Sequence, residues 1–139
     1  MGLTEFLAKN KRTSKEVEYT ISNDWLDENG KPIVFKLRAI PEKIDRELRE
    51  SCMNIVTNKR GQIVKQSFDN NGYMIKLVAK SITEPNLRDA SLQDAYGVTN
   101  EWDLLGEMLS SGEFANLFTK VQEINNFEPM DDLVEEAKN

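Results

Sequence analysis

Histidine is absent from this 139-residue chain, and cysteine occurs once, at Cys52. Without histidine the chain lacks the commonest general base near neutral pH and the commonest zinc ligand. One cysteine can neither close an internal disulfide nor furnish a structural zinc site. Its scarcity agrees with a reducing compartment. The apolar runs are only a few residues long, too short to span a bilayer. Met1 to Arg12 lacks the apolar centre and cleavage site of a signal peptide, so cytoplasmic residence is expected. There is no glycine-rich phosphate loop, no internal repeat and no low-complexity tract.

Two acidic turns invite a calcium reading, and the spacing rejects both. With Gly30 as the sixth loop residue, Trp25 falls first and Lys36 twelfth. With Gly72 sixth, Ser67 falls first and Val78 twelfth. A calcium loop needs acidic ligands at those ends. The remaining carboxylates form no pattern that marks a catalytic pair. Cys52 lies among apolar positions and reads as a small buried hydrophobe, since a reactive thiolate needs an electropositive, partly exposed site. No enzyme, cofactor or metal is expected.

What is present is charge, unevenly placed. The net charge is −6, yet residues 1–70 carry 13 basic and 11 acidic side chains. Residues 71–139 carry 5 basic and 13 acidic ones. The acidic half would repel a phosphate backbone. Lys9, Lys11, Arg12 and Lys15 cluster near the N-terminus, but no aromatics interleave with them to stack bases. They read as a solvated segment, and no nucleic-acid partner is expected.

The local patterns predict an α+β fold. Leu3, Phe6 and Leu7 are spaced for one or two amphipathic helical turns, too short to stand alone in water. Val17, Tyr19 and Ile21 alternate with polar residues, as do Ile33, Phe35, Leu37 and Ala39 with Val34, Lys36 and Arg38. Asp27-Glu28-Asn29-Gly30 between them predicts a hairpin turn. Two strands alone are not stable, so helices or a third strand must cover them. Gln62-Ile63-Val64-Lys65 is the candidate third strand.

A helix is predicted from Pro41 to a stop at Gly61, with Ile44, Leu48, Cys52, Ile55 and Val56 as its apolar stripe. A second runs from Asn71 to Ser81, capped by Asp69, Asn70 or Asn71, with Tyr73, Met74, Leu77 and Val78 facing inward. A short one spans Ala90 to Tyr96 and stops at Gly97. Asn100 opens the next, with Trp102, Leu105, Met108 and Leu109 inward. Ser110 and Glu113 form a capping box for the last, which carries Phe114, Leu117, Phe118, Val121 and Ile124. The fold expected is an N-terminal β-hairpin, with a possible third strand, packed on about four to five helices. Residues 1–15 would form a flexible amphipathic segment, 16–127 a single domain, and 128–139 an acidic mobile tail.

The order and spacing of several segments carry a resemblance. They are Leu3-Thr4-Glu5-Phe6-Leu7, Asp27-Glu28-Asn29-Gly30-Lys31-Pro32, Leu37-Arg38-Ala39-Ile40 and Leu48-Arg49. The most specific are Pro85-Asn86-Leu87, Leu92-Gln93-Asp94-Ala95-Tyr96-Gly97, Met108-Leu109 and Gly112-Glu113-Phe114. From about Leu3 to Phe127 the chain resembles the XkdN-like tail assembly chaperones of phages and Gram-positive prophages. Where that family often has glycine before the last phenylalanine, this chain has Asn126.

The resemblance implies a non-catalytic protein that binds the elongated, aggregation-prone tape measure protein. It would keep that client soluble while tail tube protein subunits polymerise around it. No cofactor is implied, and the oligomeric state stays open. A structural tail or connector subunit retained in the particle is the alternative. Large apolar side chains at element ends are the expected partner contacts: Leu3, Phe6, Leu7, Trp25, Phe68 and Phe127. Leu3, Phe6 and Leu7 would swing between docking on the body and contacting the client.

Overall fold

The computed structural model describes residues 2–7 and 14–127. The basic stretch from Lys9 to Arg12 and the acidic segment 128–139, expected to be mobile, lie outside them. The architecture is α+β, five strands and five α-helices among the described residues, preceded by a 3-10 turn at Leu3–Phe6.

Strands β1 (Val17–Thr20) and β2 (Val34–Leu37) pair antiparallel, with Val17 opposite Leu37 and Thr20 opposite Val34. The turn between them is organised by Asp27. Its carboxylate accepts the N–H groups of Asn29 (2.8 Å) and Lys31 (3.0 Å). Gly30 takes φ +77°, where a side chain would be strained. Alternation turns Phe35 and Leu37 inward, with at most 1% of their surface exposed.

Helix α1 (Glu42–Ser51) begins after Pro41, as expected, but ends ten residues before Gly61. Ile55 and Val56 are not on its stripe; they lie in β3 (Met53–Thr57). That strand pairs antiparallel with β4 (Ile63–Phe68), Met53 opposite Phe68 and Val56 opposite Lys65. Asn54-Ile55-Val56-Thr57 is rich in β-branched residues, which lose side-chain freedom in a helix. Asn58 then builds the same turn as Asp27. Its side-chain oxygen accepts the N–H groups of Arg60 (2.9 Å) and Gln62 (3.0 Å), and Gly61 sits at φ +78°. Ile63 to Lys65 is therefore claimed by a local hairpin and does not join β1 and β2. The third strand of that sheet is β5 (Ile82–Glu84), antiparallel to β2, giving the order β1-β2-β5.

Strand β5 directly follows α2 (Asn70–Ser81), which Asp69 caps by accepting the Gly72 N–H at 3.0 Å. Three helices follow: α3 (Ala90–Ala95), α4 (Glu101–Met108) and α5 (Ser111–Ile124). Asp89 and Asn100 cap the first two through the Leu92 and Asp103 N–H groups, at 2.9 and 2.8 Å. The capping box at Ser110 and Glu113 is reciprocal. Two helices end in the same left-handed motif. Gly97 (φ +68°) closes α3 and Asn126 (φ +64°) closes α5, each flanked by paired bonds back to the last helical carbonyls. Asparagine tolerates that region better than other side-chain-bearing residues, so Asn126 can hold the position without glycine.

Helix α2 is the centre of the body, packing on α1, α4, α5 and β5. The fully buried apolar side chains are Phe35, Leu37, Leu77, Val78, Leu104, Leu105, Leu117 and Val121. Burying each such side chain is worth about 1.5–3 kcal/mol. Leu104 is more deeply placed than the expected Trp102 and Met108, which are half-buried. Cys52 is buried at the end of α1. One polar lock crosses the core. Asn125 accepts the Ile40 N–H at 2.9 Å and donates to the hydroxyl of fully buried Ser81 at 3.2 Å.

Candidate partner-binding surface

Polar side chains meet most closely where α1 and α2 face each other. The Tyr73 hydroxyl donates a short hydrogen bond to Asp45, and Arg49 donates to Asp45 (2.9 Å) and to the Tyr73 oxygen (3.0 Å). Burial, reinforced by the Asp45 carboxylate, pushes the Tyr73 hydroxyl well above its usual range. Arg49 is raised too, chiefly by its bond to Asp45. The Asp45 carboxylate and the Arg49 guanidinium hold the neutral Tyr73 hydroxyl from two sides and so brace α1 against α2. Among the described residues no three His, Cys, Asp or Glu side chains cluster to hold a metal ion. A groove of about 560 Å³ beside α2 is lined mainly by Met74, Ile75, Leu105, Leu109 and Phe114. Its carboxylate, Asp69, is occupied in capping α2.

The six expected contact residues fall into two groups. Leu3, Phe6 and Leu7 share the N-terminal turn and are 82%, 72% and 50% exposed. The other three sit half-buried on the edge of the core. Trp25 packs its edge against Phe35, with ring centroids 5.9 Å apart. Phe68 lies 5.7 Å from the Tyr73 ring. Phe127 lies 6.0 Å from the Arg49 guanidinium carbon, which in turn covers Tyr73 at 4.5 Å. Phe68 and Phe127 thus flank one cluster, and Trp25 belongs to another.

Among the described residues, exposed large apolar side chains gather most densely at a place that sequence reading missed. Met53, Ile55, Val56, Ile63 and Val64 are all exposed, and apart from half-buried Phe68 so is every residue of β3 and β4. The β3–β4 hairpin packs substantially only on itself. It projects as an arm from a root where the Asp69 N–H donates to the Cys52 carbonyl at 2.8 Å. The signal was available. Asn58-Lys59-Arg60-Gly61 repeats the spacing of Asp27-Glu28-Asn29-Gly30, and β-branched pairs flank it. Contiguous apolar surface of this kind commonly marks interaction sites.

The described residues thus form a small α+β domain that displays exposed apolar side chains on its N-terminal turn and on the β3–β4 arm. The family model for phage XkdN-like tail assembly chaperone proteins matches residues 3–138, and the chain belongs to that family. It is 32% identical over 129 residues to the phage-like element PBSX protein XkdN of Bacillus subtilis strain 168, covering 91% of this chain and 86% of that one. It is 30% identical to YqbN of the same organism, covering 91% and 85%. The crystal structure of the protein YqbN superposes with a TM-score of 0.75 at 24% identity, over 92% of this chain and 98% of that one, and shows the same fold. The role the family implies is assembly rather than catalysis. No helix among the described residues is long and apolar enough to cross a membrane.

Proposed function

We propose that this protein is a non-catalytic chaperone, encoded by a prophage, that binds the tape measure protein and keeps it soluble in the host cytoplasm during tail assembly. The observation that carries the reading is the family match across residues 3–138. The exposed surface supports it, since a holding chaperone must present apolar groups to its client while net charge keeps it in solution. Release requires a modest interface, and separate small patches suit that better than one broad apolar face. Residues 16–127 act as one domain in this reading. Leu3, Phe6 and Leu7 make the first client contact, and Trp25, Phe68 and Phe127 border it. The tail tube protein is met as it polymerises around the held client.

Co-expression with the tape measure protein encoded nearby tests this. A soluble, co-purifying tape measure protein is the expected outcome. A tape measure protein that stays insoluble, with this chain retained in purified tails, would replace the chaperone by a structural subunit. Removing residues 1–12 should weaken capture, and unchanged capture would remove Leu3, Phe6 and Leu7 from the contact.

A further inference from the structure

The β3–β4 arm is cationic as well as apolar. Residues 53–68 include Lys59, Arg60 and Lys65 and no Asp or Glu. All three cations are exposed, and no ion pair to any of them occurs among the described residues. Lys59 and Arg60 sit in the turn at the tip, far from the root. Met53 and Ile55 pair with Phe68 and Gln66 and so share the face that meets Tyr73 at the root. Nearer the tip the apolar groups divide. Ile63 and Val64 are successive strand residues and point to opposite faces, and Val56 pairs with Lys65. A flat surface covers only one side of such a ribbon. A groove covers both.

The body carries a groove whose chemistry is the complement of the arm's. The hollow of about 560 Å³ takes Met74 and Ile75 from α2, and Leu105, Leu109 and Phe114 from α4 and α5. At Ile75 and Gly106 it continues into a second hollow of about 420 Å³, where Trp102, Asp103 and Glu107 stand. Asp103 and Glu107 are exposed and join no ion pair among the described residues, and no Lys or Arg lines either hollow. Lys76 and Lys80 stand over the Trp102 ring, at 5.8 and 5.7 Å, outside both linings. Gly106 lies where the hollows join. A Cβ there would meet nothing within 4 Å among the described residues, so the chain's own packing does not call for glycine. Glycine weakens a helix interior, and it admits a closely approaching partner.

The arm packs substantially only on itself and leaves its own groove open. Arm and groove nevertheless start at one place. Asp69 lines the groove at the end away from Asp103 and Glu107, and its N–H holds the Cys52 carbonyl at the arm's root. A twofold axis near that root lays each arm along the other copy's groove and makes the contact twice.

We propose that the arm of one copy of this chain occupies the groove of a second copy, reciprocally, in a twofold dimer. Val56, Ile63 and Val64 enter between Met74 and Ile75 on one side and Leu109 and Phe114 on the other. Lys59 and Arg60, at the tip, reach Asp103 and Glu107 at the far end of the groove. Exposed charges contribute to the contact, so it weakens at high salt. The proposal does not depend on which client the protein holds.

Analytical ultracentrifugation of the full chain tests it. The wild type should sediment as a dimer that dissociates on dilution and more readily at high salt. G106L fills the groove from an open position without crowding the body, and it should be monomeric. K59E/R60E and D103K/E107K should each be monomeric as well. Their equimolar mixture should dimerise, because the acidic arm then meets the basic groove while the unaltered arm meets the unaltered groove. In the wild type, methyl cross-peaks between differently labelled copies should join Ile63 or Val64 to Met74 or Leu109. A monomeric wild type overturns the proposal and leaves the arm to another protein. A G106L chain that still dimerises overturns it, since the copies would then meet elsewhere. A wild-type dimer without those cross-peaks overturns it whatever the charge variants do.

Discussion

The two hairpins share a turn and differ in everything that covers them. Asp27 and Asn58 each hold two backbone N–H groups, two and four residues further along the chain, with Gly30 and Gly61 at nearly the same φ. Beyond the turn they diverge. Strand β2 has neighbours on both edges and buries Phe35 and Leu37. Strands β3 and β4 have only each other and bury nothing fully. A turn specifies that two strands meet; it carries no information about what comes to lie over them.

The sharpest way to break this comparison is to remove an apolar side chain from each hairpin. Phe35→Ala should destabilise the protein by about 3–5 kcal/mol through lost transfer energy and a cavity. Ile55→Ala should change stability by less than about 0.5 kcal/mol, as exposed substitutions do. Urea unfolding of both measures the contrast, and a large loss from Ile55→Ala would mean the arm is part of the core.

A second test concerns how the covered hairpin is fastened. Asn125 ties the Ile40 N–H, just beyond β2, to the end of α5 and to Ser81. Asn125→Ala leaves those groups without their partner and should cost about 1–3 kcal/mol. The same unfolding assay checks it.

Tyr73, near the root of the arm, gives a pH signature. Its folded-state pKa is raised above the ordinary value of 10.0. The unfolded chain therefore loses that proton first as pH climbs. The stability contributed by the neutral hydroxyl is complete below about pH 10 and declines above it, by up to about 1.4 kcal/mol per pH unit. Thermal unfolding between neutral and strongly alkaline pH should show this slope, and Tyr73→Phe should flatten it. The turns give a last contrast. Gly30→Ala strains a left-handed position and should cost about 1 kcal/mol of global stability. Gly61→Ala imposes the same strain on the arm alone, so amide exchange in β3 and β4 should quicken while global unfolding barely moves.

The contrast between the hairpins also explains what was legible in the sequence. Caps and stops are local chemistry, so Asn100, the Ser110–Glu113 box and Gly97 were readable, and the α2 cap was narrowed to three neighbours of which Asp69 is the one used. So were the inward faces of β2 and α5, which follow from alternation and helical spacing. Ile55 and Val56 misled because they extend the helical stripe of Ile44, Leu48 and Cys52 in register. Only their β-branching and the Asn58 turn argue the other way. The pairing of β5 with β2 was out of reach, since a three-residue strand joins its partner across 45 positions of sequence. Among the partner candidates, exposure separates Leu3, Phe6 and Leu7 from Trp25, Phe68 and Phe127. Whether an aromatic at an element end points outward depends on neighbours that spacing does not reveal.

The root of the arm has one more consequence. Cys52 and Asp69 are hydrogen-bonded partners, so the chain returns to within one strand spacing of where it left. The sixteen residues between them could be exchanged for a short turn, or for a hairpin of another length and charge, without moving α1 or α2. The body is then a socket and the arm a replaceable fitting.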